Sequence, residues 1–197
     1  MNNTALAKLM GLNPATVLEM VRKMAKSELV QVEADKSLSL TDIGRTAALQ
    51  IVRRHRLWEV FLVEKLGYHW NEVHNLAEQL EHIQSPDLVE RLDVFLGHPT
   101  HDPHGDPIPN RKGRIKPAKT IALAAAQPGI KYVVKSFTET ADSFLTYLDK
   151  LNIAPGKKLQ VVEVNAYDGS VRITVDKKRI QVSDKVAANI LLQAQGS

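Results

Sequence analysis

Four side chains in one short stretch are of the kinds that hold a metal ion: His74, Glu78, Glu81 and His82, within VHNLAEQLEH from Val73 to His82. On a helix turning about 100° per residue they fall at roughly 0°, 40°, −20° and 80°, so two imidazoles and two carboxylates share one arc. Val73, Leu76, Ala77, Leu80 and Ile83 take the opposite side as a packing face. Taken alone, this is also the pattern of a solvated face on an amphipathic helix. A second helix argues against that reading. Thr41 to Leu66 has Thr41 as a plausible N-cap, no proline, and glycine only in its first turn, so it reads as one long helix. Along it His55 and Glu59 interrupt an apolar stripe of Ala48, Ile51, Val52, Leu62, Val63 and Leu66. Burying that pair without partners is costly, so the position asks for an ion, a counter-charge or a hydrogen-bond network. The economical solution sets this stripe against the helix bearing His74 to His82, with metal between them.

Composition narrows the chemistry. There are no cysteines among the 197 residues, which excludes disulfides, thiolate zinc sites and a cysteine nucleophile, and leaves histidine and carboxylate as ligands. With 44% hydrophobic residues and a mean hydropathy of −0.20, the chain suits one or two compact soluble domains. It has no apolar run of membrane-spanning length and no signal-peptide pattern at its start, which makes it cytoplasmic by expectation. Charge is unevenly placed. Met1 to Arg45 carries a net +1, Thr46 to Asn110 carries −5, and Arg111 to Ser197 carries +8; all seven histidines lie between positions 55 and 104. The cation-attracting part is thus the middle of the chain.

The chain begins with a short helix over Thr4 to Met10 and a GLN turn. Asn13 and Pro14 then start a second helix running to about Ser27, by side-chain cap and first-turn proline. Leu29 to Leu40 alternates like two short strands around a turn near Ala34 to Ser37. A helix-turn-helix followed by a hairpin is the winged variety. It places Asn13, Ala15, Thr16 and Glu19 near bases in the major groove of double-stranded DNA, and Lys23, Lys26 and Lys36 near phosphates. Helix pairs of this shape also occur in proteins that never touch DNA, and the local net charge is small.

The segments LVQVEADKSLSLTDIGR, RRHRLWE and VHNLAEQLEH, in that order and followed by DPHGDPIP, resemble the diphtheria-toxin-repressor family of metal-dependent transcriptional regulators. The resemblance covers essentially the whole chain. It implies an α+β chain: a winged helix-turn-helix over 1–42, an all-helical metal-binding and dimerisation domain over 43–110, a linker over 111–130, and a Src-homology-3-like small β-barrel over 131–197. It further implies a homodimer that represses metal-uptake genes at a palindromic operator when Mn(II), or second Fe(II), is bound. Carried over by motif, His55, Glu59 and His74 form an ancillary site, and Glu78, Glu81 and His82 a primary one. Glu78 stands where iron-sensing members place cysteine, and a hard carboxylate there favours Mn(II). Members begin with a further helix that donates a primary-site ligand. Here Met1 falls where the next helix begins, so the resemblance implies a primary site short of one ligand. Where long members supply barrel ligands, this chain has Thr140 and Ser143, with Glu139 and Asp142 beside them, and no barrel ligand is expected.

Ser85 to Leu96 reads as a helix capped by Ser85, with Leu88, Val89, Leu92, Phe95 and Leu96 on a face for core or dimer packing, the resemblance favouring the dimer. Gly97 to Gly113 is dense in proline and glycine and reads as a loop; its His98, His101 and His104 could suggest a third metal site, but without a positioned carboxylate they are expected in solvent. Farther on, Tyr132 to Phe137, Leu159 to Val164, Val171 to Val175 and Ile180 to Val182 read as strands. Ala141 to Leu151 and Asp184 to Gln193 read as helices, with Asp168-Gly169 in a hairpin. The basic surplus here fits DNA, an acidic partner, or dispersed lysines on a solvated surface. A dinuclear metalloenzyme is the competing class, but it needs Glu-x-x-His on two helices and neither copy is present. The expectation is therefore no enzyme and no small-molecule substrate, with a metal-binding dimeric module lacking DNA binding as the other alternative.

Overall fold

In the computed structural model, which describes residues 1–83, 85–116 and 118–195, the chain divides into two compact units. The first comprises Met1–Arg53 and Pro109–Arg114. Asn2 caps α1 (Asn3–Met10) by accepting from the Ala5 N–H, and Asn13 caps α2 (Pro14–Lys26) by accepting from Ala15. Every third or fourth residue of α2 turns inward, so Val17 and Val21 pack on Ala7, Leu6, Met24 and Leu38. Strands β1 (Val30–Val32) and β2 (Leu38–Leu40) pair antiparallel, with Lys36 at φ 64° in the turn between them. Helix α3 (Asp42–Leu66) starts at Thr41, whose hydroxyl accepts from the Gly44 N–H. Gly44 is needed because a Cβ there would meet the Leu29 carbonyl oxygen at 1.8 Å. The Gln50 and Arg53 side chains donate to the carbonyls of Arg111 and Pro109, which makes 109–114 part of this unit.

The second unit, Arg54–Ile108 with Ile115–Ser197, contains the rest of α3, α4 (His74–Leu80) and α5 (Pro86–Phe95), the latter capped by the Ser85 hydroxyl. Leu57, Val60, Val89, Leu92 and Ile108 form one cluster, and Leu62, Val73 and Ala77 another. Helix α4 is shorter than its ligand spacing suggests. It ends at Leu80, so Glu81 and His82 lie in a turn and Ile83 is exposed instead of joining the packing face. The chain must redirect there to reach the Ser85-Pro86 start of α5.

The remaining elements are β3 (Ile121–Ala122), a 3₁₀ turn over Leu123–Ala125, β4 (Lys131–Phe137), α6 (Asp142–Lys150), β5 (Lys158–Val164), β6 (Val171–Val175), β7 (Lys178–Val182), α7 (Asp184–Ala188) and β8 (Ile190–Ala194). Six antiparallel strands are ordered β3-β8-β4-β5-β6-β7 around a core that includes Leu123, Val134, Leu145, Leu148, Val161, Ile173, Ile190 and Leu192. No ladder joins β3 to β7 among the described residues, so closure of these strands into a barrel is not shown. The expected helix over Asp184 to Gln193 is also corrected. It stops at Ala188, the Asn189 side chain bonds back to the Lys185 carbonyl, and Ile190–Ala194 becomes a strand between β3 and β4.

Candidate metal centre

Glu59 is the hub of the second unit's polar interior: only 2% exposed, with different neighbours on its two oxygens. Its Oε1 lies 2.9 Å from His55 Nε2 and 3.5 Å from His74 Nδ1, and those two nitrogens are 3.1 Å apart. His55 sits one helical turn before Glu59 on α3, and His74 opens α4, so two helices bring the three atoms together. Proton accounting defines the site further. Glu81 Oε2 is 2.8 Å from His55 Nδ1 and can only accept, so Nδ1 donates to it. Neutral His55 therefore directs a bare Nε2 lone pair at the Glu59 carboxylate, an arrangement that needs a cation, either a proton or a metal ion.

The donor spacings fit a metal. Neighbouring donors on an octahedral ion with bonds of about 2.1 to 2.2 Å stand about 3.0 to 3.1 Å apart, and on a tetrahedral ion about 3.4 Å apart. The observed triangle of 2.9, 3.1 and 3.5 Å spans these values. Both histidines and the carboxylate present donors of the hard or borderline class.

On the other side of the same carboxylate, Glu59 Oε2 is 3.4 Å from His104 Nδ1, and Asp102 completes a second buried group of potential ligands. His104 is 2% exposed and corrects the expectation of a solvated loop histidine. Its Nε2 donates to the Trp70 carbonyl at 2.8 Å, which leaves Nδ1 facing Glu59. The following Gly105 explains how the loop comes so close: at φ 86°, a Cβ there would lie 1.7 Å from the Lys135 carbonyl oxygen. Asp102 Oδ1 accepts from the N–H groups of His104 and Asp106, folding the loop onto itself. Arg56 holds it from α3 through Asp102 at 3.2 Å, Asp106 at 3.1 Å and the Pro107 carbonyl.

The titration behaviour follows from this crowding of negative charge. Burial works against ionised Glu59, but hydrogen bonds from His104, His55 and His74 hold it far below the usual carboxylate range. Burial also works against protonated His55 and His104, yet Glu59 raises both, helped by Glu81 at His55 and Asp102 at His104. Asp102 is pushed up to about 7, by burial first and then by the charges of Glu59 and Asp106.

Other expected residues are placed differently. Glu81 faces His55 as its hydrogen-bond partner, while Glu78 and His82 are exposed and belong to neither buried group. Glu78, Glu81 and His82 form no group of converging donors among the described residues, Glu81 being engaged by His55 instead. His98 is exposed and bonds Asp93, and His101 is exposed. Glu139 accepts from Ala141 N–H, and Asp142 accepts from Asn75, so neither joins the centre. On α2, Ala15, Thr16, Glu19, Lys23 and Lys26 are exposed, with Glu19 and Lys23 paired at 3.0 Å; Asn13 is engaged as a cap and Lys36 is exposed on the wing. Sequence reasoning missed Asp102 and Arg56 and set His104 aside as a solvated loop histidine. The one available signal was the glycine after His104.

Comparison with known proteins finds three family models in succession. They are the N-terminal DNA-binding domain of iron-dependent repressors over residues 1–38, their metal-binding and dimerisation domain over 41–110, and the FeoA domain over 121–194. The diphtheria toxin repressor of Corynebacterium diphtheriae is 30% identical over 189 residues, 90% of this chain and 82% of that protein. The iron-dependent repressor IdeR of Mycobacterium tuberculosis is 43% identical over 94 residues, 48% of this chain and 41% of that one. A solved manganese-dependent transcriptional repressor in complex with manganese is 35% identical, with a TM-score of 0.88, covering 98% of this chain and 90% of the other.

Proposed function

The chain belongs to the diphtheria-toxin-repressor family of metal-dependent transcriptional repressors, and on that premise we propose that its sensing centre is built on Glu59, with His55 Nε2, Glu59 Oε1 and His74 Nδ1 holding Mn(II) first and Fe(II) second. The observation that carries this reading is the three-donor triangle with His55 Nδ1 anchored by Glu81. The ion supplies positive charge where the histidine lone pairs meet a buried carboxylate, and the hard donors favour Mn(II) over softer ions. Glu81 acts from outside, fixing the tautomer and tilt of His55. A further centre at Glu78, Glu81 and His82 requires Glu81 to leave His55.

The exposed face of α2, with Ala15, Thr16 and Glu19 toward bases and Lys23 and Lys26 toward phosphates, reads double-stranded DNA, with Lys36 on the wing reaching a further phosphate. The working form is a cytoplasmic homodimer on a palindromic operator. Val94 and Phe95, both 63% exposed on or beside the outer side of α5, together with Leu66, supply its apolar contact. The six-stranded sheet corresponds to the small β-barrel of the long members. Metal favours the DNA-binding arrangement only by the difference in its affinity for the two arrangements.

The test is fluorescence anisotropy on a palindromic duplex selected by rounds of Mn(II)-dependent retention. Wild type binds with Mn(II) and releases on chelation, and His55→Ala with Glu59→Gln binds poorly at every Mn(II) concentration. Equal binding by wild type with and without metal overturns the reading.

A further inference from the structure

The strands β4 to β7 bury one face and leave the other open. Tyr132, Val134, Leu159, Val161, Val171, Ile173 and Val175 point into the core, so by alternation Lys131, Lys158, Arg172 and Arg179 point outward, and all four are exposed. The register aligns them. Lys131 lies opposite Gln160, Gln160 opposite Thr174, and Thr174 opposite Arg179, which makes one row across four strands with a cation at each end. Lys158 stands two residues from Gln160 on the same face, and Lys177 projects from the tight β6–β7 turn at φ 66°.

Charge on this face is one-sided. Its acids are already engaged: Glu163 pairs with Arg172 at 2.7 Å, and Asp176 at the turn pairs with Lys157 at 3.0 Å. Lys131, Lys158, Lys177 and Arg179 have no ion pair among the described residues. Glu139, Asp142, Asp149 and Asp184 lie instead on or beside α6 and α7, the helices that accompany the buried side. Four exposed cations thus remain uncompensated on this side of the sheet.

We propose that the outer face of β4 to β7 is a second nucleic-acid contact, which grips the phosphate backbone of duplex DNA without reading sequence. The row from Lys131 to Arg179 crosses three strand spacings, about 14 Å, over which one DNA strand presents about four phosphates. Long flexible cations and the Thr174 hydroxyl are the groups that make backbone contacts. A protein partner would need a cluster of apolar anchors, and the strands' outer face offers Val162, 38% exposed, and half-buried Val133, with Tyr167 standing apart in the β5–β6 turn. Charge complementarity therefore favours a polyanion.

The experiment uses the whole chain and a labelled duplex of scrambled sequence, with affinity measured by anisotropy from about 50 to 300 mM KCl. Lys131→Gln, Lys158→Gln and Arg179→Gln are combined in one variant. A charge-matched control combines Lys119→Gln, Lys150→Gln and Lys185→Gln, all exposed and off this face. The slope of log affinity against log salt should become shallower by about 0.9 for each phosphate no longer neutralised, or about 2.7 for three, and the control should hardly change. Equal slopes for wild type and sheet variant, or an equal change in the control, overturn the proposal. A third protein, Lys23→Gln with Lys36→Gln, separates this face from the winged unit: scrambled-sequence binding should survive in it and fall when the sheet changes are added. Complete loss of binding in that third protein overturns the proposed second DNA-binding face and leaves the repressor reading intact. Tighter retention of polyglutamate than of DNA at equal salt, abolished in the sheet variant, also overturns it in favour of an acidic polypeptide.

Discussion

Replacing Glu81 separates two roles that predict different metal stoichiometry. In the structure its Oε2 accepts from His55 Nδ1 at 2.8 Å, and both side chains are 15% exposed. Partners of this kind outside the ligand set are worth about 10- to 100-fold in metal affinity, or about 1.4 to 2.7 kcal/mol. The partial exposure lets water replace the missing acceptor, which places Glu81→Ala near the low end, about 10- to 30-fold. Glu81→Gln retains a carbonyl oxygen that can accept from the same N–H, so its loss of affinity should stay within about threefold. Isothermal titration of the metal-stripped protein with Mn(II) gives affinity and stoichiometry together. Both variants should bind as many equivalents as wild type, and only Glu81→Ala should bind much more weakly. If Glu81→Gln loses one whole equivalent while the remaining affinity is unchanged, Glu81 is a ligand of a separate centre and the positioning argument is wrong.

Three further outcomes test the surroundings. Gly105→Ala must fit a Cβ 1.7 Å from the Lys135 carbonyl oxygen at φ 86°, so urea unfolding should show a loss of about 2 to 4 kcal/mol; unchanged stability would mean the loop does not need this close approach. Arg56→Met leaves Asp102 and Asp106 without their shared counter-charge, and the same assay should show a destabilisation of about 1 to 3 kcal/mol, since Arg56 and Asp106 are partly exposed and Asp102 can take up a proton. Phe95→Glu should convert the dimer to monomer in sedimentation velocity at micromolar concentration with little change in melting temperature, since the ring is exposed in the single chain; a persistent dimer would place the interface elsewhere.

Legibility from sequence followed the range of the interactions. The caps at Asn13, Thr41 and Ser85 are local, and each starts the helix expected of it. That His55 and Glu59 need a partner on the helix bearing His74 to His82 was also readable, because a polar pair interrupts an apolar helical stripe; His74 in particular came from the family resemblance. Glu81 keeps helical backbone angles as the C-cap of α4, and its contact with His55 Nδ1, 26 residues away, had no local signal. His104 gave no periodic signal, and its burial is set by Trp70 and Lys135, residues distant in sequence. The last strand was hidden because Val186, Ala187, Ile190 and Leu191 keep helical spacing through Asn189, and only pairing with β3 and β4 reveals Ile190–Ala194 as a strand.

The first unit is not a continuous piece of chain. It is completed by Pro109–Arg114, whose carbonyls receive Gln50 and Arg53, so the polypeptide leaves this unit, builds α4, α5 and the loop bearing His104, and returns before going on to the sheet. No single peptide bond divides the molecule into its two units. A fragment ending near Arg53 retains the winged element but loses the acceptors of two side chains, one of them 3% exposed in the whole protein. A protease that nicks the chain between α5 and residue 109 therefore leaves two pieces, each of which contributes segments to both units. Excising the winged unit cleanly requires a graft that carries residues 109–114 along with it.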